Sequence, residues 1–343
     1  MAKTGALKKA VLALLMLAVL MCLSLAWFIY SFLTTAPGSG REMSFLVHPG
    51  TPLQQVAQNL ERAGLVSDAR LFVAYAQRMG AADKIQAGEY MVSDDMKPAD
   101  LLDKLTSGDV VVHKVTVPEG YNLRQIGAAF ENAGIADWEE FDSIAADPVF
   151  RSNLGIDATS LEGYLFPDTY HWQLWDESQT VVRAMAQRLN QIYTPQHEAR
   201  ARELGMSRHQ VLTLASLIEK ETGIEQERPL ISAVFHARID KGIPLACDPS
   251  VIYGIKNFDG NLTRMQLRDR GNRYNTYVHK GLPPGPICSP GLKSIEAALY
   301  PADVKYLYFV SRNDGSHHFS ATLAEHNRAV QLYQRTGARG GTH

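Results

Sequence analysis

Two glutamates, Glu219 and Glu221, close the run ASLIEKET inside the stretch Ser207 to Tyr253. Ser207 followed three residues later by Gln210 is a capping box and predicts a helix start, and Gly223 after Thr222 predicts its stop. Residues two apart on a helix differ by about 200°, so the two carboxyl groups cannot act on one site as a close pair. Leu214, Leu217 and Ile218 stand at the spacing of one buried stripe, and Glu221 extends it. A carboxyl group in that place is either solvated beyond the stripe's end or desolvated so that its pKa rises and it can serve as a general acid. Glu221 is the candidate acid and Glu219 the runner-up.

The elements that must position Glu221 lie on both sides of it. Downstream, a helix is expected from Arg228-Pro229 to Gly242, and Asp248-Pro249 opens an apolar, strand-like stretch through Tyr253. Asp248 is there to line a site or to cap a turn. Tyr274 to Gly291 joins Asn275, Thr276 and Tyr277 to a Gly/Pro-rich loop, which by its residues alone is a turn-rich connector able to present amides and hydroxyls. Upstream, LEGYLFPDTY (Leu161 to Tyr170) clusters Tyr164, Phe166 and Tyr170 around Pro167-Asp168, a pattern that fits sugar stacking or core equally. Glu162 and Asp168 are the nearby acids. The tail carries strand character in Tyr306 to Val310, then His317, His318 and His326, whose spacing does not match a compact zinc motif.

An internal repeat precedes this region. VHPGTPLQQVAQNLERAGL from Val47 aligns without gaps with VPEGYNLRQIGAAFENAGI from Val117, an offset of 70 residues. Each copy reads as a strand, a turn at Gly50 or Gly120, and an amphipathic helix closed by Gly64 or Gly134. Ile85 to Val92 is expected as a strand and Lys97 to Leu105 as a helix with Pro98 near its start.

Before the repeat, Ala10 to Leu33 is an almost unbroken apolar run of 24 residues. As a helix it rises about 36 Å, enough for a bilayer core of about 30 Å. Lys3, Lys8 and Lys9 precede it and only Arg41 follows closely, which predicts a cytoplasmic N-terminus and an exported remainder. A cleaved signal peptide is the other reading, against which stand the length of the run and the lack of a small-residue cleavage site. Composition adds exclusions: 45% hydrophobic residues make a globular chain, and a net charge of −2 gives no electrostatic case for nucleic acid. Cys22 lies in the apolar run, while Cys247 and Cys288 could bridge only if their Cα atoms come close enough.

The segment ASLIEKETGIEQERPLISAVFHARIDKGIPLACDPSVIYGI, together with LEGYLFPDTY and YNTYVHKGLPPGPICSPG, resembles the signature of the YceG/MltG family of membrane-anchored endolytic murein transglycosylases. The resemblance implies an α+β fold with a single transmembrane helix, a small LysM-like βααβ subdomain and a larger mixed α+β catalytic domain. The boundaries expected are a cytoplasmic 1–9, an anchor 10–33, a linker 34–42, the LysM-like unit 43–112 and the catalytic domain 113–343. It further implies a lyase that cleaves the MurNAc–GlcNAc bond of nascent peptidoglycan strands and leaves 1,6-anhydromuramoyl ends. No cofactor or metal is implied. Glu221 is then the catalytic acid, and Tyr164, Asp168, Asp248, Asn275, Thr276 and Tyr277 are the expected substrate contacts. The partners implied are glycan strands, the inner membrane and the peptidoglycan synthesis machinery, with the catalytic domain periplasmic. A muramidase-type hydrolase pairing Glu221 with Asp248 or Asp168, and a non-catalytic glycan anchor, are the competing expectations.

Overall fold

A computed structural model describes residues 2–335. They divide into two compact units, one of residues 2–113 with Trp172–Trp175, the other of Lys114–His171 with Asp176 onward.

The first unit begins with helix α1 (Ala2–Thr34), whose span Val11–Thr34 is long and apolar enough to cross a membrane, with a mean hydropathy of 2.7. From Val11 to Tyr30 its large apolar side chains stand exposed, but Phe32 in the last turn is only 5% exposed. Phe32 belongs to the core that holds Phe45, Leu60, Phe72, Tyr90 and Leu105. Around that core run β1 (Glu42–Val47), α2 (Leu53–Arg62), α3 (Ala69–Arg78), β2 (Gly88–Ser93) and α4 (Pro98–Ser107). The two strands pair antiparallel, with Glu42 opposite Ser93 and Val47 opposite Gly88. Alternation buries Phe45 and Val47 while Leu46 faces out. Asp68 caps α3 by accepting the N–H groups of Arg70 and Leu71, and Pro98 occupies the first turn of α4. The residues between α1 and β1 are tied down as well. Gly38 N–H donates to the Asp94 carbonyl at 2.7 Å, and Gly40 and Arg41 N–H donate to Asp94 Oδ1 at 2.8 and 2.9 Å.

The second unit is mainly helical. After β3 (His113–Thr116) come α5 (Leu123–Asn132), α6 (Trp138–Ala146), α7 (Pro148–Asn153), β4 (Thr169–Trp172), α8 (Ser178–Ile192) and α9 (Pro195–Glu203). Then follow α10 (Arg208–Glu221), α11 (Arg228–Asp240), α12 (Asp248–Tyr253), α13 (Leu292–Leu299), β5 (Tyr308–Ser311), β6 (His317–Ser320) and α14 (Leu323–Val330). β3 pairs with β4, and β5 pairs antiparallel with β6 so that Ser311 faces His317. The repeat is visible in the elements: α2 and α5 start and stop 70 residues apart, after left-handed Gly50 (φ 74°) and Gly120 (φ 79°).

Helix α10 is the centre of this unit. Its capping box forms as expected, with Gln210 N–H donating to Ser207 Oγ at 3.2 Å and Ser207 N–H to Gln210 Oε1 at 2.8 Å. All eight residues from Val211 to Ile218 are buried, so the helix is enclosed on every side and has no single apolar stripe. Helices α9, α11, α12 and α13 pack around it. One expectation is overturned: Asp248 to Tyr253 is helix α12, not a strand. Pro249 sits in its first turn, where a fixed φ suits the helix and a missing N–H costs nothing, and Ser250 Oγ donates back to the Cys247 carbonyl at 2.8 Å.

Candidate active site

The chain leaves α10 abruptly. Thr222 is extended (φ −146°, ψ 139°), its hydroxyl donates to Glu227 Oε2 at 3.2 Å, and its Oγ1 accepts the Ile224 N–H at 3.0 Å. This exit sends the two glutamates of the last turn into different surroundings, as their angular separation requires.

Glu219 is held by structure. Its side chain is 7% exposed, accepts from Arg228 Nη2 at 3.3 Å and from the Gly291 N–H at 2.9 Å, and Arg228 is itself only 10% exposed. Both carboxylate oxygens are engaged in joining α10 to the starts of α11 and α13. Glu219 has no place on the cavity that Glu221 lines.

Glu221 is half-buried on a cavity of about 360 Å³ that is also lined by Arg238, Asp248, Tyr277, His317 and His326. Burial pushes its pKa up to about 7, and the charge of Asp248 adds to the rise. A hydrogen bond from the Cys247 thiol and the nearby His317 and Arg238 act in the opposite direction. The carboxyl group is therefore poised to be proton donor and carboxylate near neutral pH.

The rest of the cavity wall is built by buried holders. Ala246 adopts φ 53°, unfavourable for a residue with a Cβ, and is fixed there by its N–H donating to the Thr276 carbonyl at 3.0 Å. Cys247 N–H donates to Thr276 Oγ1 at 2.9 Å. These contacts set the Cys247 thiol on Glu221 and start α12 with Asp248 on the wall. Asn275, fully buried, donates from Nδ2 to the carbonyls of Gln266 (3.1 Å) and Asp269 (2.9 Å) and accepts the Tyr277 N–H at 3.0 Å. Tyr277 then donates its hydroxyl to Asp248 Oδ1 at 2.6 Å, and burial together with that carboxylate keeps the phenol protonated. Arg238 spends its guanidinium on carbonyls, Nε on Leu307 at 2.7 Å and Nη1 on Leu245 at 2.7 Å.

Of the expected substrate contacts, the structure thus brings Asp248 and Tyr277 to Glu221. Asn275 and Thr276 lie behind the wall and position it. Tyr164 is buried elsewhere, its hydroxyl meeting His209 Nδ1 at 2.9 Å while His209 Nε2 donates to the Pro284 carbonyl at 2.9 Å. Asp168 pairs with Arg188 at 2.7 Å and does not line the cavity. Most of the Gly/Pro-rich loop is turned inward as well, with Pro284 its exposed residue. Residues 285 to 291 are buried along α10, with Ile287 N–H donating to Ser216 Oγ at 3.0 Å.

Cys247 and Cys288 are separate, buried free thiols. The Cys247 pKa is raised by burial and by Glu221, so the group remains a thiol donor. Among the described residues no group of three or more His, Cys, Asp or Glu side chains is gathered to hold a metal ion. Cys247 behind the wall and Arg238 and His317 on it have no local pattern that marks them as partners of Glu221. His317 comes closest, because three histidines in ten residues draw attention, although toward a metal.

Fold and cavity together define a mixed α/β protein that carries an apolar N-terminal helix and a cleft centred on one protonatable carboxyl group. The chain belongs to the YceG-like family, which it matches over residues 45–332. It is 33% identical over 303 residues to the endolytic murein transglycosylase of Bacillus subtilis strain 168, covering 83% of this chain and 82% of that protein. It is 28% identical to the endolytic murein transglycosylase of Streptococcus pneumoniae serotype 2, covering 88% of this chain but only 60% of the pneumococcal protein. A crystal structure of a Listeria monocytogenes protein described as yceG-like superposes with a TM-score of 0.59 at 29% identity, over 84% of this chain and 98% of that one.

Proposed function

We propose that this protein is an endolytic murein transglycosylase with Glu221 as its acid and base. The observation that carries the assignment is the half-buried Glu221 carboxyl, raised to about 7 on a polar and aromatic cavity, while Glu219 is engaged by Arg228 and Gly291. Family membership and the printed activity of the relatives support the same reading.

In this reading Glu221 gives its proton to the glycosidic oxygen between N-acetylmuramic acid and N-acetylglucosamine as the C1–O bond breaks. Positive charge develops on the muramoyl C1, and the substrate's own acetamido group can stabilise it. The muramoyl C6 hydroxyl attacks C1, its proton passes to the Glu221 carboxylate, and the 1,6-anhydro ring closes. Proton donor and acceptor are one residue and no water is consumed. Such a cycle works best with a pKa near the working pH. Asp248 and Tyr277, joined by their hydrogen bond, contact the sugar beside the acid. The helix α1 anchors the protein in the inner membrane with the second unit periplasmic, consistent with Lys3, Lys8 and Lys9 ahead of the span. The β1–α2–α3–β2 unit is the LysM-like contact to the glycan, and cutting nascent strands beside the synthases limits their length.

The test uses the full-length protein in detergent on purified peptidoglycan, with new chain ends identified by mass spectrometry. Parent protein is expected to make anhydromuramoyl ends, and Glu221→Gln to lose at least 100-fold in rate, on the order of one general acid–base group. Activity on kcat/KM should fall as pH rises through about 7, where the acid form is lost. Reducing muramic ends would replace the lyase with a hydrolase using Asp248, and no new ends from a folded parent would leave a glycan-binding anchor.

A further inference from the structure

The β5–β6 hairpin delivers His317 to the cavity from 96 residues beyond Glu221 in the chain. Its ring is not placed casually. Glu227, a buried carboxylate, accepts the His317 main-chain N–H on Oε1 at 2.8 Å and meets His317 Nδ1 on Oε2 at 2.7 Å. The Thr222 hydroxyl also donates to Oε2, so the residue that ends α10 behind Glu221 supports the orienting carboxylate as well. Phe309 stands edge-on to the imidazole, with ring centroids 5.5 Å apart at 90°.

A carboxylate can only accept, so the Nδ1 position carries a proton and Nε2 is the ring atom left for another partner, an acceptor in the neutral ring and a donor in the charged one. The His317 side chain is 11% exposed, it lies on the wall of the Glu221 cavity, and no hydrogen bond among the described residues uses Nε2. A buried carboxylate that fixes one ring nitrogen and leaves the other on a cavity wall is an arrangement for acting on something in the cavity. A glycan strand offers hydroxyl groups there, which can donate or accept.

We propose that His317 Nε2 hydrogen-bonds a sugar hydroxyl in the Glu221 cavity, with Glu227 holding Nδ1 and so setting the ring orientation. The proposal rests on the reading of that cavity as the glycan-cleaving site. His317 contributes no proton transfer in it; it holds the sugar while Glu221 reacts.

Two substitutions separate this role from a structural one. His317→Asn keeps a donor near the Nδ1 position for Glu227 and removes the atom at Nε2. His317→Gln places an amide near the Nε2 position and gives up the geometry of the Nδ1 contact. Anhydro-end formation is measured for both in the full-length protein, as kcat and KM separately, alongside melting temperature and the Glu221→Gln control. His317→Asn is expected to lose about tenfold in kcat/KM, the order of one hydrogen bond, at a melting temperature near that of the parent. His317→Gln should retain more activity than His317→Asn despite a lower melting temperature. The reverse order, with His317→Asn as active as the parent, would show that the ring serves only to fasten β6 to Glu227 and would overturn the proposal. If His317→Gln does not fold, kcat/KM of His317→Asn decides alone. A folded parent that makes no anhydro ends would instead remove the glycan-cleaving reading itself, and this inference with it.

Discussion

Two glutamates of one helical turn sit in opposite surroundings, Glu219 in an ion pair and Glu221 on a cavity. Glu219 and Arg228 are both nearly sequestered, and removing one member of such a pair leaves the other charge uncompensated. Glu219→Gln is therefore expected to destabilise the fold by about 3 kcal/mol, somewhat relieved by Glu119, which stands 3.9 Å from the same guanidinium. Urea unfolding of the variant measures this; a midpoint equal to that of the parent would count against it. The folded fraction should keep its pH profile, because Glu219 does not reach the cavity. That the two glutamates point apart was open to reading from helical angle alone, whereas the apolar stripe that favoured Glu221 is one side of a helix buried all round. The neighbours that tune Glu221 were not legible, because Cys247 and His317 arrive from 26 and 96 residues away and nothing in local periodicity encodes such a meeting. Cys247 invited a disulfide with Cys288, and the structure uses its thiol on the acid instead.

At the scale of elements, the signature segments LEGYLFPDTY and the Gly/Pro-rich loop turn out to be a clasp around α10 more than a sugar platform. Gly163 (φ 78°) is pressed so close to Pro286 that a Cβ would stand 2.4 Å from the proline Cβ, which joins LEGYLFPDTY to the Gly/Pro-rich loop. Next to it Glu162, almost fully buried, accepts the Leu123 N–H at the start of α5 and the Tyr253 hydroxyl at 3.0 Å from the end of α12. Burial raises its pKa to about 7, as it does for Glu221. A carboxyl group raised in the folded state holds its proton after the unfolded chain has released it, so its contribution is full below about 4.5 and is lost as pH rises through about 7. Each such group lowers stability by about 3 kcal/mol across that window. Thermal melts from pH 4.5 to 8 should show the decline, and Glu162→Gln should flatten part of it; an unchanged slope in the variant would sink the idea. Capped and repeated helices were readable beforehand, since their start and stop signals are local. Whether Tyr164 or the Gly/Pro-rich loop faces sugar or core was not, since aromatic and glycine-rich segments serve both and only packing decides. The misreading of α12 has the same origin: six residues are too few for a period to declare itself.

For the molecule as a whole, sequence disclosed the apolar N-terminal helix plainly but not where that helix ends as a separate body. Phe32 is part of the first unit's core, and Asp94 grips the residues that follow. Phe32→Ala is expected to cost the first unit about 3 kcal/mol, seen as faster hydrogen exchange in β1 and α2; exchange like that of the parent would refute it. A fragment starting at Arg41 should show the same loosening, since it lacks Phe32 altogether. The seating of Phe32 also bears on how the protein stands on a bilayer. From Val11 to Ser31 the free helix has 21 residues, a rise of about 32 Å, which is nearly the thickness of the hydrocarbon layer. Were α1 inserted in a bilayer, no slack would remain to act as a tether, and the first unit would ride on the lipid headgroups like a cap fixed to its post. Any lean of the post would then be a lean of the cap, and the thickness of the membrane would set how far the cap stands from the lipid.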